Sequence, residues 1–149
     1  MNLLSGVISL ILIGIMPVAS PESSIGSVKT VAGTALVLRG TQTLPAAAGL
    51  RILPGDLLRT GPNGSIGVVF KDDMLVSLGP NTEFVIDEYI FSPAEEKMSF
   101  AARLIKGTGE FLTGLIAKLS PQSVKLRTPK ASIGIRGTHI LVRAEEASR

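Results

Sequence analysis

The stretch whose residue types most resemble a binding site is TPKASIGIRGTHILV, residues 128 to 142. Gly134 and Gly137 have the GxxG spacing of the KH loop, which clamps a nucleic-acid backbone, and glycine-rich turns also bind phosphates. A KH loop lies between helices, however, and a phosphate site needs a following helix whose first N–H groups point at the ligand. The flanking residues are β-branched and favour strands: Ile133, Ile135, Ile140 and Val142. The pattern therefore predicts a strand, and no nucleic-acid partner is expected.

The glycines in this strand then need a structural explanation, because its apolar face changes. Up to Ile135 the apolar residues have odd numbers and share one face of the strand. From Thr138 onwards the better apolar face consists of even-numbered residues, which lie on the other side. A one-residue slip exchanges the two faces of a strand, and a β-bulge is the usual way to accommodate it. We predict a bulge at Arg136 and Gly137 that redirects the arginine and turns His139 to the outside.

Catalytic chemistry finds little support in the sequence. His139 is the only histidine, so a Ser-His-Asp site would have to use it, and no serine lies in a nucleophile elbow. The absence of cysteine excludes thiolate nucleophiles and cysteine-based zinc sites. Neighbouring carboxylates lie in or beside predicted turns, where turn formation and solubility explain them: Asp72–Asp73, Asp87–Glu88 and Glu95–Glu96. We therefore expect no enzyme, no cofactor and no metal site.

Charge is distributed unevenly along the chain. Residues 1–102 contain 6 Lys or Arg against 9 Asp or Glu, a net charge of −3, whereas residues 103–149 contain 9 against 3, a net charge of +6. A basic C-terminal third could contact an acidic protein or an anionic glycan, although a solvated surface gives the same pattern. The candidate partner-binding residues are Arg127, Lys130, Arg136 and Arg143.

The N-terminus has the composition of a targeting segment. Residues 3–18 contain no charge, include two glycines and end near Pro17, and small and polar residues follow. This run is shorter than the roughly 20 residues that span a bilayer. We predict that residues 1–24 form a signal peptide or, if they are not cleaved, an N-terminal membrane anchor. In both cases the domain that follows lies outside the cytoplasm.

The rest of the chain alternates short apolar runs with turn signals. Its 16 glycines and 9 prolines separate runs of four to eight residues, and the runs on either side of residues 71–73 predict a hairpin. Leu115 to Leu119 have helical spacing, but nearby glycines limit them to one short turn. The fold predicted for residues 25–143 is an all-β sandwich or roll of short, mostly antiparallel strands, with at most one short helical turn near 115–119 and a polar tail at 144–149.

Two segments of the chain resemble each other. LRTGPNGSIGVVF, residues 58–70, and LRTPKASIGIRG, residues 126–137, both place Leu-Arg-Thr before a proline-containing turn and Ser-Ile-Gly after it. Such similarity predicts two quasi-equivalent strand–turn–strand units, unless it arose by chance in a chain rich in these residues.

An ordered set of motifs identifies a family. The set is Gly55-Asp56-x-Leu58-x-Thr60-Gly61, Phe70-x-Asp72, Leu78-x-Pro80, Thr128-Pro129 and Ile135-Arg136-Gly137-Thr138. Together these motifs resemble the FecR domain, and the resemblance covers roughly residues 25–143. The resemblance implies an extracytoplasmic all-β domain of bacterial envelopes, in which eight residues have structural roles: Gly55, Asp56, Thr60, Gly61, Thr128, Pro129, Gly137 and Thr138. In the hairpin turn Asp73 stands where the family usually has glycine, so a looser turn is expected.

The best-known FecR proteins are transmembrane regulators that sense an outer-membrane transporter and control a sigma factor. This sequence has only about 20 apolar residues ahead of the domain, so we do not expect a sigma-binding region. The resemblance then implies a periplasmic or secreted protein, or one anchored in the inner membrane and facing the periplasm. We expect an interaction and signalling module with an envelope protein as partner; the alternative is a module that binds envelope polysaccharide or peptidoglycan. The membrane is contacted only if the N-terminal segment stays uncleaved.

Overall fold

The computed structural model describes Gly14, residues 23–135 and residues 137–146. Most of residues 1–24, predicted as signal peptide or anchor, lies outside these residues, as do Arg136 and residues 147–149 of the tail. The described chain forms twelve strands and one helix, with the bounds β1 Gly26–Ala32, β2 Ala35–Arg39, β3 Gln42–Pro45, β4 Arg51–Ile52, β5 Leu57–Thr60, β6 Ser65–Phe70, β7 Leu75–Leu78, β8 Glu83–Ser92, β9 Lys97–Leu112, α1 Leu115–Leu119, β10 Val124–Arg127, β11 Ser132–Gly134 and β12 His139–Ala144. No helix in the described part of the chain is long and apolar enough to cross a membrane.

Strand β9 joins all the others into one curled sheet with two halves. Sheet I has the order β4-β1-β6-β7-β9-β12 and contains the C-terminal part of β9. Sheet II has the order β3-β2-β5-β8-β9-β10-β11 and contains the N-terminal part of β9. All the pairs are antiparallel except β9–β10, which is parallel. The predicted all-β class, its mostly antiparallel strands and the single short helix at Leu115–Leu119 are confirmed.

The two halves pack their apolar faces against each other. Phe70 of sheet I stacks on Tyr89 of sheet II, with ring centroids 5.4 Å apart, and contacts Phe100 edge-on. Phe84 of sheet II contacts Phe111 of sheet I across the core, with ring centroids 5.7 Å apart and ring planes tilted by 54°. Alternation of apolar and polar residues produces these faces, because successive side chains of a strand point to opposite sides. The result is one continuous core between the halves of the sheet.

The hairpin predicted around residues 71–73 is confirmed by the pairing of β6 with β7. Asp73, which stands where the family usually has glycine, adopts a φ of 67°. Left-handed backbone is uncommon for residues other than glycine, although aspartate tolerates it better than most. The turn therefore keeps the conformation that glycine would favour.

The sequence predicts two separate strands here, 98–105 and 108–112, because glycines interrupt the segment, but the structure has the single long strand β9. The strand runs unbroken for 16 residues, and Gly107 within it has a φ of +96°. A side chain at this position would be strained and would also overlap Thr82. Glycine thus lets one strand turn from sheet II into sheet I where the sequence suggested a loop.

The bulged strand predicted across residues 131–143 is wrong. β11 pairs only with β10 in sheet II, whereas β12 pairs with β9 in sheet I, so the segment between them crosses from one sheet to the other. Ile135, directly after β11, is buried, and so is Val142 in β12. Thr138, which was predicted to face inward, is exposed. The apolar face changes because the chain changes sheets. Gly137 has a φ of +108°, which suits a crossing link as well as a bulge.

Candidate functional site

The Gly55-Asp56 motif forms a buried ion pair. Asp56 is only 1% exposed, and its two carboxylate oxygens accept hydrogen bonds from Nε and Nη2 of Arg39 at 2.9 and 2.8 Å. The backbone N–H of Leu53 donates to the same carboxylate at 2.8 Å, and Gly55 N–H donates to the Ile86 carbonyl at 2.7 Å. A bidentate arginine and a backbone donor compensate for burying the charge. Asp56 therefore ties β2 to the turn before β5 and is closed to a ligand.

The Thr60-Gly61 motif anchors a second turn in the same manner. Thr60 Oγ1 donates to the Gly79 carbonyl at 2.6 Å and accepts from Thr82 N–H at 2.9 Å. Gly61 N–H donates to the Thr34 carbonyl at 2.9 Å, and its own carbonyl accepts from Asn81 N–H at 3.0 Å. The hydroxyl groups of the buried residues Thr60 and Thr82 both have hydrogen-bond partners. This network therefore fixes three chain segments relative to one another.

Asp72 and Tyr89 form a third buried network. The tyrosine hydroxyl donates to Asp72 Oδ1 at 2.8 Å and accepts from the Asp72 N–H at 2.9 Å. Asp72 also accepts at Oδ2 from Ile116 N–H at 3.2 Å, which holds the start of α1. Burial raises the pKa of Tyr89 well above its ordinary value, and the hydrogen bond to Asp72 raises it further. Tyr89 therefore stays protonated and serves packing.

The C-terminal hairpin contains the other predicted motif residues in a different environment. Thr128 and Pro129 lie in the turn between β10 and β11, where Thr128 N–H donates to the Ala131 carbonyl at 2.8 Å. Ala131 N–H donates to Thr128 Oγ1 at 3.1 Å, so the turn closes on itself. Past the hairpin, Thr113 donates through its hydroxyl to the Gly137 carbonyl at 2.7 Å and through its N–H to the Thr138 carbonyl at 3.0 Å. These contacts are exposed.

The outer face of β10 and β11 is cationic and open. Lys125 and Arg127 alternate with buried Val124 and Leu126 along β10. Both line an open groove of about 650 Å³, whose polar wall also includes Gln122 and Ser132. The small residues of β11 on this face, Ser132 and Gly134, leave the groove uncovered. Neither cation forms an ion pair with any residue that the structure describes.

The neighbouring arginine on β9 gives a useful contrast. Arg103 lies beside Arg127 in the parallel pairing and donates two hydrogen bonds to Asp87, at 2.8 and 3.0 Å. That hydrogen-bonded pair raises the pKa of Arg103 above its ordinary value. Arg103 is thus neutralised within the sheet, whereas Arg127 keeps an uncompensated charge among the described residues.

The candidate partner-binding residues are only partly brought together. Lys130 and Arg143 line one cleft of about 220 Å³ between the β10–β11 turn and the end of β12. Arg127 lies on the adjoining groove with Lys125. Arg136 lies outside the described residues. We refer to Lys125, Arg127 and Lys130 as the basic hairpin face.

His139 and Glu110 form the remaining polar pair on the outside of sheet I. His139 Nε2 is hydrogen-bonded to Glu110 Oε1, and both side chains are exposed. In the parts of the chain that the structure describes, no group of three or more His, Cys, Asp and Glu side chains could hold a metal ion.

Sequence patterns alone did not identify the partners of the motif residues. Arg39, Thr82 and Tyr89 complete the three buried networks, yet each lies 17 or 22 positions from its partner. The turn sequence Gly79-Pro80-Asn81, directly before Thr82, was the one local signal for any of these partners. The sequence marked Asp56 and Asp72 only through their places in the FecR motifs. Solubility does not explain Asp72, contrary to the prediction, because its side chain is buried.

Comparison with known proteins gives one family match. Neither the curated proteins nor the solved structures provide a significant match. The family described as FecR protein matches residues 56–149, which is 94 of the 149 residues. The match includes Asp56, Thr60 and Asp72, whose buried networks hold the sheet halves and turns together. This chain belongs to the FecR protein family.

Proposed function

We propose that this chain is an exported, non-enzymatic FecR-domain protein that acts as an interaction module in envelope signalling. Family membership supports a signalling-related role. Export rests on the N-terminal composition, and the non-enzymatic proposal rests on the sequence, which has a single histidine and no serine in a nucleophile elbow. Cell fractionation and the mass of the mature chain test export. A measured hydrolytic activity that is lost in His139→Ala, with folding intact, would contradict the non-enzymatic proposal.

The surface that we propose for the partner is the basic hairpin face. The single observation behind it is that Lys125 and Arg127 flank an open groove with no described counter-ion, whereas Arg59 and Arg103 on the same sheet pair with Glu83 and Asp87. Unpaired cations in a groove with a small-residue floor favour an acidic segment of a protein, because opposite charge steers association. Lys130 and Arg143 extend the same charge around the turn.

Charge reversal tests this surface. The variant Lys125→Glu/Arg127→Glu/Lys130→Glu changes the net charge by −6, and the control Lys29→Glu/Arg51→Glu/Lys71→Glu makes the same change at exposed sites elsewhere. Chemical crosslinking in the envelope fraction, followed by mass spectrometry, should identify one partner with wild type and control. We expect the hairpin variant to lose that product at least tenfold. Equal loss in both variants would show that net charge alone matters.

The groove also favours one alternative ligand. Its polar residues Gln122 and Ser132 lie beside the two cations, as a site for an acidic polysaccharide would require. If the ligand is an anionic envelope glycan, the same three substitutions should abolish salt-sensitive binding to the purified polymer, and the control should retain it. Binding to the polymer without a protein crosslink would favour this alternative.

A further inference from the structure

Strand β12 has an edge that is protected differently from the other edges of the sheet. Native proteins shorten their edge strands or place proline and charges in them, because bare backbone groups can pair with another chain. β4 has two residues, β11 has three, and β3 ends in Pro45. β12 has six residues, contains no proline, and pairs with β9 alone among the described strands.

The register shows which residues offer their backbone to this edge. Thr113 N–H donates to the Thr138 carbonyl, and the same register pairs His139 with Leu112 and Ile140 with Phe111. In an antiparallel pair, hydrogen-bonded and non-hydrogen-bonded positions alternate. The even-numbered residues therefore bond to β9. His139, Leu141 and Arg143 direct their N–H and C=O groups away from it.

The side chains of these three residues are also exposed. Leu141 is 74% exposed, the highest value among the exposed large apolar residues of the described chain. On one side of it lies His139 with its partner Glu110, and on the other lies Arg143, which has no ion pair with the described residues. A histidine–glutamate pair, a leucine and an arginine thus follow one another at intervals of two residues along one edge.

We propose that a second copy of this chain pairs with β12, antiparallel and centred on Leu141. This register places Leu141 opposite its counterpart and Arg143 of each copy opposite His139 of the other. All three outward-facing residues then exchange hydrogen bonds, and each Arg143 comes opposite the histidine that is hydrogen-bonded to Glu110 in the other copy. A shift by two residues leaves one of the three without a partner in β12. The pattern is self-complementary, as a two-fold contact requires.

The proposed dimer is expected to be weak. A ladder of six residues buries less surface than the standard interface of about 1,600 Å². Detection by covalent trapping is therefore preferable to detection by mass alone. The chain contains no cysteine, so a single introduced cysteine reports its own position without background.

Disulfide trapping tests both the pairing and its register in the full chain. Cα atoms of directly opposed hydrogen-bonded residues lie about 5.5 Å apart, within disulfide range. Leu141→Cys should form a covalent dimer on mild oxidation at least tenfold faster than the control Thr43→Cys, an exposed position on the edge strand β3. His139→Cys and Arg143→Cys should each crosslink poorly alone, because like positions are about 13 Å apart. A mixture of these two variants should crosslink efficiently.

Charge reversal provides a second test. Arg143→Glu should suppress trapping of Leu141→Cys about tenfold, because it replaces the cation nearest the other copy's His139–Glu110 pair with a second carboxylate. Adding Glu110→Arg should restore trapping. Equal trapping at positions 43 and 141, or no effect of the charge exchange, would overturn the proposal. Trapping of Leu141→Cys only to a different envelope protein would also overturn it and would assign the edge to a heterologous strand.

Discussion

Two segments with nearly the same sequence adopt different arrangements in this protein. In residues 58–70, β5 belongs to sheet II and β6 to sheet I, and the two strands do not pair. In residues 126–137, β10 and β11 form a hairpin within sheet II. The quasi-equivalent units predicted from the repeat are therefore not observed.

The turns explain the difference. The first turn has four residues, 61–64, and is closed by the Gly64 N–H, which donates to the Gly61 carbonyl at 3.0 Å. It also bonds to other segments, because Gly61 donates to Thr34 and accepts from Asn81. The second turn also has four residues, 128–131, and its hydrogen bonds join its own two ends, Thr128 and Ala131. Similar strand sequences therefore do not determine which strands pair. The hydrogen-bond partners of the turn between them do.

The largest expected effect comes from Gly64→Ala. Gly64 and Ala131 both stand directly before a Ser-Ile-Gly strand, but a Cβ at Gly64 would overlap the carbonyl of Thr34. We expect Gly64→Ala to lower the free energy of unfolding by about 4 kcal/mol, since backbone must move to relieve the overlap. The reverse change Ala131→Gly, at an exposed turn, should cost under about 1 kcal/mol. Urea unfolding of both variants checks this; similar losses would erase the distinction between the turns.

Thr60→Val against Thr128→Val is the next comparison. Thr60 is buried and its hydroxyl satisfies both Gly79 and Thr82, so its removal should cost about 3 kcal/mol. Thr128 lies in a turn whose hydroxyl contacts are exposed, so its removal should cost under about 1 kcal/mol. Chemical denaturation at one pH measures both values, and a cost at Thr128 as large as that at Thr60 would contradict the assignment.

Tyr89→Phe tests the hydrogen bonds between Tyr89 and Asp72, which follow residues 58–70 and have no counterpart described after residues 126–137. β6 leads into the hairpin turn that contains Asp72, the hydrogen-bond partner of Tyr89. The loss of the tyrosine hydroxyl should cost about 2 kcal/mol near neutral pH. The folded-state pKa of Tyr89 is raised above its ordinary value of 10.0, so its contribution is complete below pH 10 and declines as the pH rises above it. Unfolding measured from pH 7 to 11 should therefore show the difference between wild type and variant narrowing above pH 10. A constant difference would contradict this.

The smallest expected effect concerns the arginines of the two Leu-Arg-Thr segments. Arg59 Nε lies 3.0 Å from Glu83 Oε1 on an exposed surface, and Arg127 has no described counter-ion. Arg59→Ala should cost at most about 0.5 kcal/mol, because exposed ion pairs contribute little, and Arg127→Ala should leave stability unchanged. The yield of the crosslink to the partner should show the reverse: it should fall in Arg127→Ala and stay unchanged in Arg59→Ala. Loss of the crosslink in both would remove the functional distinction.

The sequence was sufficient for the fold class because its signals are local. Alternation along β6 and β7, the turn at residues 71–73 and the short helical spacing at α1 each depend on neighbours within a few residues. The structural roles of Asp56 and Thr60 were predicted only through the resemblance to the FecR motifs.

Longer-range features were not predictable in this way. The continuity of β9 depends on Thr82 packing against Gly107, 25 positions later in the chain. The crossing between β11 and β12 produces the same change of parity as a bulge, so parity cannot separate the two. In the candidate site, composition identified Lys130 and Arg143 as basic residues, but only the fold brings them to one cleft.

The shared strand β9 also affects the order in which the protein can fold as it is synthesised. Its partners on one side, β7 and β8, precede it in the chain, whereas those on the other, β10 and β12, follow it. A growing chain that has reached residue 112 therefore holds a 16-residue strand with one bare edge. Until residue 144 has emerged, that edge is a template for mispairing with other chains, so chaperone protection is most needed during this interval.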